Sequence, residues 1–456
     1  VVLKMALGES PAGIPAAADV RSGRLAAAQS LDGGVVDRIV RHFAGGMRFT
    51  RVHASAAGLA RPGARHLRFD DAEEVFGLAR TFRVDVPAGT PIADLVDSLN
   101  QVTTVESAAP NYVAVTPFAA AATGLAGDED ATPWEMVRAA EALAYEPGDV
   151  TVIVGIVDTG VSREHPELAG KLRSGVDTVQ LGGGELALGI QLLGDRRRVD
   201  TDPTDDFVGH GMGCAGIVGA LGLGMPPGLA GHAQVLPMRG LGAARFPGVA
   251  HAVGVGATTD LDMAVKLAVD LSAKVINLSF GTDDAVLEPG AEKPHADVVA
   301  YALDRGRVLV AAAGNEAGEK TYWPAAFPGV IAVGSVGPGR RPSGFSSRGP
   351  HVALCAPGER VRTLGLTAYQ QATGTSFAAP FVAGAAALLV ARAEARSMPV
   401  DSLLVRQLLV HSAAPFGGRP VEGCGAGVLD AYAALRTLDV HIDRSLEPGD
   451  GPIGDG

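Results

Sequence analysis

TVIVGIVD (Thr151–Asp158) is a run of β-branched and small apolar residues with no polar alternation, and it ends on a carboxylate. A strand written this way is buried on both faces, the condition of a parallel sheet covered by helices. AKVINLSF (Ala273–Phe280), VLVAAAGN (Val308–Asn315) and VIAVGSV (Val330–Val336) have the same form, and Ala-rich stretches of helical length separate them. The expected fold is α/β, a three-layer α/β/α domain with a mainly parallel sheet. Ligands of such folds sit at the carboxyl ends of the strands, where Asp158, Asn277 and Asn315 fall.

Upstream the pattern changes. Val1–Met5 is strand-like, Val35–Phe43 helical, Met47–His53 and Thr81–Val86 strand-like, Ile92–Leu99 helical and Val102–Val115 extended. That β-α-β-β-α-β order predicts a small α+β, ferredoxin-like domain over residues 1–117. Residues 118–133, small and acidic, read as a linker, residues 134–437 as the α/β domain, and residues 438–456, closing in a Gly/Pro/Asp-rich stretch, as a C-terminal tail.

The 456 residues are 47% apolar, enough for a large core, and carry a formal net charge of −12. That charge leaves no extended basic surface, so nucleic acid is not an expected partner. Three cysteines are too few for a disulfide framework and show no metal-ligand spacing, so at most one bridge can form. The longest apolar run, Phe377–Ala391, is shorter than the roughly 20 residues a membrane span needs, and reads as a buried helix. No signal peptide is visible from Val1 onward. The expected compartment is extracellular if a signal was removed before residue 1, and cytoplasmic otherwise.

Three segments carry chemistry together: DTG at Asp158, GHGMGCAG around His210 and GTSFAAPFVAG around Ser376. A serine hydroxyl becomes a nucleophile when a base takes its proton, and the base needs a third group to fix its tautomer and stabilise its charge. Ser376 opens the predicted helix, where free amides favour developing negative charge. Asn315, just past a strand end, together with the Ser376 N–H would form an oxyanion hole. Singly, an Asp after a strand, a GHG and a GTS are turn or cap signals; their joint order Asp, His, Ser is what selects peptidase chemistry.

Residues 134–436 resemble a subtilisin-family catalytic domain, since VDTGVSREHPEL, GHGMGCAG, INLSFG, AAAGNE, FSSRGP, CAPG and GTSFAAP stand in the family's order. FRVDVPAGTPIADLVDSLNQVTTVESAAPNYV (Phe82–Val113) resembles the second half of the family's inhibitory propeptide. The resemblance implies a serine endopeptidase made as a self-processing proenzyme. Catalytic residues are then Asp158, His210, Ser376 and Asn315, the partners a peptide or protein substrate and the chain's own N-terminal domain as inhibitor. It implies a substrate strand between Arg239–Gly242 and Ser279–Gly281, and a primary pocket walled by Leu278, Ser279, Phe280 and Gly281 and by Ala312, Ala313, Gly314 and Asn315. The propeptide would be cut within Phe118–Thr132. Two rival readings are a binding protein whose cleft is permanently filled, and a processing peptidase dedicated to one peptide.

Departures from the family pattern carry expectations of their own. After the catalytic His the family usually reads GTH, whereas here Gly211 is followed by Met212 and Gly213; the second His is missing, so the packing beneath the triad must differ. Cys214 falls where some members place a free cysteine under the catalytic His, which implies mercurial sensitivity if the site is reachable. No cofactor is expected. The family's tight calcium site is expected to be absent, because Glu167 and the loop GLGMPPG replace its ligands. Asp200, Asp202 and Asp206 resemble a second calcium loop, set against the reading taken here, a solvated acidic loop. Tyr322 falls at the base of the primary pocket, implying a preference for a small residue before the scissile bond.

Overall fold

The computed structural model describes residues 1–11, 13–57, 69–116, 132–182, 189–195, 200–205, 207–419 and 421–446. Residues 118–131 of the expected cleavage region, the acidic residue Asp206 and the end of the tail from residue 447 lie outside the described residues.

The N-terminal part contains β1 (Val2–Met5), α1 (Val35–Ala44), β2 (Arg48–Arg51), β3 (Thr81–Asp85), α2 (Ile92–Leu99) and β4 (Val105–Ala109). Its four strands form an antiparallel sheet in the order β2-β3-β1-β4. Side chains alternate across each strand, so Leu3, Met5, Phe49, Phe82 and Val84 face one way and bury Val36, Val40, Leu95 and Leu99 of the two helices in a core of their own. Lys4, Thr81 and Arg83 face the other way, yet they too are buried.

A third segment, β5 (Val113–Val115), leaves this domain for the next one. The larger domain is built on β6 (Ile153–Asp158), α3 (His210–Gly219), β7 (Gln234–Arg239), β8 (Gly242–Arg245), β9 (Val253–Ala257), α4 (Thr258–Asp270), β10 (Val275–Leu278), α5 (Ala296–Asp304), β11 (Val308–Ala312), β12 (Ile331–Gly337), β13 (Val352–Pro357), α6 (Thr375–Ala395), α7 (Ser402–His411) and α8 (Ala431–Leu446). The central sheet runs β12-β11-β10-β6-β7, every one of these pairs parallel, with β13 also parallel on β12. α3 and α6 cover one face of this sheet and α4 and α5 the other, as the separate apolar clusters on its two sides show. This is the three-layer α/β/α arrangement expected from the strand composition.

α6 has the length and apolarity to cross a membrane, but 94% of that window is buried inside the protein. It is the core helix, and it packs on α3, the sheet and α8.

Two boundaries differ from the sequence reading. Helical structure resumes at Thr132, with Trp134 buried against Phe381, so residues 132 and 133 belong to the larger domain rather than to a linker. At the other end α8 continues to Leu446, because Leu435, Leu438 and Ile442 form one buried stripe; residues 438–446 are core-packed helix, not tail.

The two domains meet through the charged face of the N-terminal sheet. Arg21 and Arg83 approach the fully buried Asp260 of α4 at 3.9 and 3.7 Å, Lys4 reaches Glu292 and Asp297 at 2.5 and 3.0 Å, and the buried Lys266 of α4 pairs with Glu73 at 2.6 Å. Removing one partner of such a pair leaves an uncompensated buried charge, which fixes the docking mode more than it adds net stability.

Candidate active site

Asp158 ends β6 beside Arg239 of β7, and its main-chain oxygen accepts from the N–H groups of Gly240 and Leu241 at 3.0 and 3.1 Å. Its side chain is fully buried, and Oδ1 lies 2.7 Å from His210 Nδ1. The Nδ1 proton therefore faces the carboxylate, and Nε2 carries the lone pair. No group bonds Nε2.

His210 is the first residue of α3 and is positioned by the turn before it. Asp205, not one of the acidic residues singled out in the sequence, accepts from Phe207, Val208 and Gly209 N–H at 2.9, 2.9 and 2.7 Å and from Thr159 Oγ1 at 2.5 Å. Thr159 Oγ1 in turn receives Gly211 N–H at 2.9 Å, so one buried carboxylate ties the Asp158 segment to the His210 helix. Burial pushes the Asp205 carboxyl above its ordinary value, against the pull of those hydrogen bonds. Gly211 has no alternative residue, because a Cβ there would lie 2.3 Å from the Gly160 carbonyl. Gly213 stands at the position of the missing histidine, and a Cβ there would lie 2.7 Å from the Phe377 ring; Met212 beside it is fully buried and accepts Ser162 N–H on Sδ at 3.2 Å.

Ser376 is the second residue of α6, in its first turn, where main-chain amides lack helical partners. Its hydroxyl points to the Ser279 carbonyl at 3.3 Å rather than to His210, which differs from the expected serine–histidine hydrogen bond. Catalytic contacts of this kind often tighten only when substrate is bound. Pro380, four residues further along α6, has no N–H to give the Ser376 carbonyl. Ser279 Oγ and Cys214 Sγ take that carbonyl instead, at 2.8 and 3.4 Å, and Asn277 Nδ2 donates to Ser279 Oγ at 2.8 Å. The proline thus frees an acceptor with which the strand end grips the nucleophile. Neither the hydroxyl of Ser279 nor Pro380 was assigned this role from sequence; a proline four residues after a candidate nucleophile is the signal that could have found it.

Cys214 lies directly under this arrangement, with Sγ 3.5 Å from Asp158 Oδ2. Burial, and then the Asp158 charge, pushes its thiol well above the ordinary value. It is inert as an ionised nucleophile in this setting.

Asn315 Oδ1 accepts from Thr375 N–H and Thr375 Oγ1, both at 2.8 Å, which fixes the flip of the amide. Nδ2 is left without a partner beside Gly374, whose Cβ, were it present, would stand 2.9 Å from it. Two unpartnered polar atoms, an acceptor on His210 and a donor on Asn315, therefore belong to the two residues that the chemistry requires around Ser376.

A segment from the N-terminal part is added to the larger domain as an extra strand. β5 pairs antiparallel with β9 (Val115↔Val255, Ala114↔Gly256, Val113↔Ala257), and Val115 bridges Gly281 on the other side. Thr116 N–H continues the pairing to the Gly254 carbonyl at 2.9 Å. The strand between two edges therefore uses Val253–Ala257 and Gly281. Arg239–Gly242 is not an edge of this cleft: Gly242 belongs to β8, one strand further out, and Arg239 is held by Asp177 within the central sheet.

Of the residues expected to wall the primary pocket, Leu278, Ser279, Phe280, Ala312, Ala313 and Gly314 are all buried where β10 and β11 end. Phe280 contributes only backbone, since its ring packs away from the cleft against His295 at 5.4 Å. Tyr322 stands between the two walls. A Cβ on Gly314 would lie 2.5 Å from its ring, and one on Gly281 3.3 Å from it.

Glu167 is fully buried and accepts Gly222, Leu223 and Gly224 N–H at 2.7, 3.0 and 2.6 Å and the Tyr369 hydroxyl at 2.9 Å. The loop offers donors to a carboxylate rather than oxygens to a cation, so calcium does not fit there. The hydrogen bonds from Leu223, Gly224, Tyr369 and Gly222 outweigh burial and hold the Glu167 carboxyl below its ordinary 4.5. A depressed carboxyl pKa contributes stability that is present above the unfolded value and lost as pH falls through the folded one. Glu167→Ala is expected to lower stability by about 2–4 kcal/mol at neutral pH by stranding those donors. Denaturant unfolding at pH 7 and below pH 4 checks this: the difference between variant and parent should shrink in acid, and an unchanged difference would contradict the assignment. Asp200 and Asp202 close their own turns, accepting from Asp202 N–H at 2.8 Å and Thr204 Oγ1 at 2.5 Å. Among the described residues the one cluster of metal-ligand type is Asp158, His210 and Cys214 itself.

A buried Asp-His pair, a serine at a helix start and an amide donor beside it, all at the carboxyl ends of a parallel sheet, define a serine hydrolase built on an α/β scaffold. Residues 149–427 match the model of the subtilase family, and the chain belongs to that family. It is 33% identical over 273 residues to a thermophilic serine proteinase of Bacillus sp. (strain AK1), covering 58% of this chain and 57% of that one. It is 35% identical over 246 residues to thermitase of Thermoactinomyces vulgaris, covering 54% and 76%. Among solved structures, the protease domain of PatA is similar with a TM-score of 0.52 at 28% identity, covering 64% of this chain and 97% of that one. A Pseudoalteromonas arctica protease shares the fold, with a TM-score of 0.56 at 24% identity over 68% and 98%.

Proposed function

We propose that the chain is a subtilisin-type serine endopeptidase, acting through Asp158, His210, Ser376 and Asn315, and that its N-terminal domain is its inhibitor. The observation that carries the first part is the pair of unpartnered atoms, His210 Nε2 and Asn315 Nδ2, on the residues expected to flank the Ser376 hydroxyl. A substrate strand would pair with β9 and Gly281 as β5 does, an alignment that uses main-chain groups and is therefore tolerant of sequence. Ser376 Oγ turns from the Ser279 carbonyl to His210, loses its proton to Nε2 and attacks the scissile carbonyl. The oxyanion is received by Asn315 Nδ2 and Ser376 N–H, and the imidazolium by Asp158. His210 then protonates the leaving amine, and water repeats the sequence in reverse to release the acid. A fluorophosphonate should form an adduct on Ser376 at stoichiometry and none on the His210→Ala chain; labelling elsewhere, or none, refutes the mechanism.

The second part rests on β5. Ala114 is 1% exposed and lies in one apolar cluster with Leu241 and Leu261, which supports the reading that this segment fills the cleft. Ala114→Arg in the full chain should expel that segment while leaving the enzyme's own residues intact. Turnover of a short chromogenic peptide by the uncut chain, followed with intact mass, is expected to rise by at least tenfold. An unchanged rate would mean that β5 does not inhibit.

The pocket sets the substrate class. With the Tyr322 ring between its walls, a small residue before the scissile bond fits and an aromatic one overpacks. Tyr322→Gly should raise cleavage after Phe relative to Ala by on the order of 30-fold, the worth of burying one aromatic side chain. Phe cleaved as well as Ala by the parent would sink the reading.

A further inference from the structure

Cys355 and Cys424 lie far from Cys214, in a separate small apolar cluster with Val336 and Val428, bordered by Met136, Phe416 and Val421. Cys355 sits in β13, fully buried, and its Sγ donates to the Cys424 carbonyl at 3.2 Å. The two thiols are close enough to shift each other's titration. The backbone holds them at this spacing from both ends: Cys355 N–H donates to the Gly427 carbonyl at 2.8 Å, Leu429 N–H to the Cys355 carbonyl at 2.9 Å, and Ala426 N–H to the Ala353 carbonyl at 3.0 Å. Cys424 is itself buried, but its neighbours Glu422, Gly425 and Ala426 are exposed, so a small reagent needs only a local opening of this loop to reach it.

We propose that Cys355 and Cys424 form a redox pair that closes into a disulfide when the chain meets a small-molecule disulfide oxidant. Cys424 reacts first. The neighbouring Cys355 thiol and then the charge of Arg348 bring its thiol down to about 7, whereas Cys355 is held well above its ordinary value by the proximity of Cys424 and by burial. The Cys424 thiolate attacks one sulfur of oxidised glutathione, giving a mixed disulfide and one glutathione thiolate. Cys355, losing its proton to that thiolate or to solvent, attacks Cys424 Sγ, and the second glutathione leaves. Two protein thiols are oxidised and one glutathione disulfide is reduced to two thiols. The bridge closes a loop that contains the Ser376 helix and α7, so it restrains the unfolded chain over a long stretch.

The test uses the full chain carrying Ser376→Ala, which cannot digest itself. It is equilibrated with oxidised glutathione, denatured and alkylated with N-ethylmaleimide. The expected result is alkylation at Cys214 alone, a mass lower by two hydrogens before alkylation, a linked Cys355–Cys424 peptide, reversal by dithiothreitol, and a Tm higher by roughly 5 °C in the oxidised form. Adding Cys424→Ser should abolish the mass loss and the Tm difference, and Cys355→Ala should do the same through the other partner. Alkylation of all three cysteines after oxidation, or a linked peptide containing Cys214, overturns the proposal. That readout needs no variant at the pair to fold.

Discussion

Ser376→Ala is expected to lower kcat/KM on peptide substrates by on the order of 10⁶-fold, and His210→Ala by a comparable factor, with the double variant little worse than either. In the proposed mechanism Ser376, His210 and Asp158 act as a unit: without the hydroxyl there would be no acyl-enzyme, and without Nε2 the hydroxyl would stay protonated and bonded to the Ser279 carbonyl. The residual rate over water comes from binding and from the Asn315 and main-chain donors. Folding should survive, because the Ser376 hydroxyl has one contact at 3.3 Å and His210 Nε2 has none. Circular dichroism and Tm of both variants, beside rates measured with purified protein, decide the matter. A loss of less than about a hundredfold in either, with contaminating protease absent, would remove that residue from the mechanism.

Asn315→Ala should reduce kcat by on the order of 10²–10³-fold with KM nearly unchanged, because its Nδ2 meets the substrate oxygen only when charge develops on it. One side effect must be separated. Asn315 Oδ1 also receives Thr375 N–H and Thr375 Oγ1, so truncation frees two donors at the start of the nucleophile's helix. Asn315→Asp keeps those acceptors, removes the donor and places negative charge near the oxyanion. It should be slower than Asn315→Ala if the electrostatic role is correct, and faster if the helix contact is what matters.

The strand ends were legible in the sequence because continuous apolar runs such as Ile153–Val157 have one structural solution, burial on both faces, and their last residue is then placed by the fold. The proposed triad was read from the order of its three segments along the chain. What escaped is non-local. Val253–Ala257 reads as VGVGA, a weak strand signal, because Gly254 and Gly256 carry no side chain to announce it. Their reason lies in space: a Cβ at Gly256 would meet the Gly240 carbonyl at 2.5 Å and one at Gly254 would strike Thr116 and Thr159. The same holds for α8, whose buried stripe is paired with α6, and for Asp205, one acid among several in DTDPTDD until the folded turn buries it and leaves Asp200 and Asp202 near the surface.

If β5 fills the cleft as proposed, it is covalently attached to the domain it closes, and its local concentration is fixed by chain length and not by how much protein a cell makes. A covalent link can hold two partners at millimolar effective concentration, so on the proposed reading even a segment of modest intrinsic affinity would keep the cleft closed. Any scission between residues 117 and 131 would change the order of the reaction without changing a single contact. Occupancy would then depend on the dissociation constant of the severed domain against its own dilution, and the charged face around Asp260, Lys266 and Asp297 would set how long it lingers. Dilution, salt and digestion of the released domain would each become a way to switch the enzyme on, and none of them acts on the uncut chain.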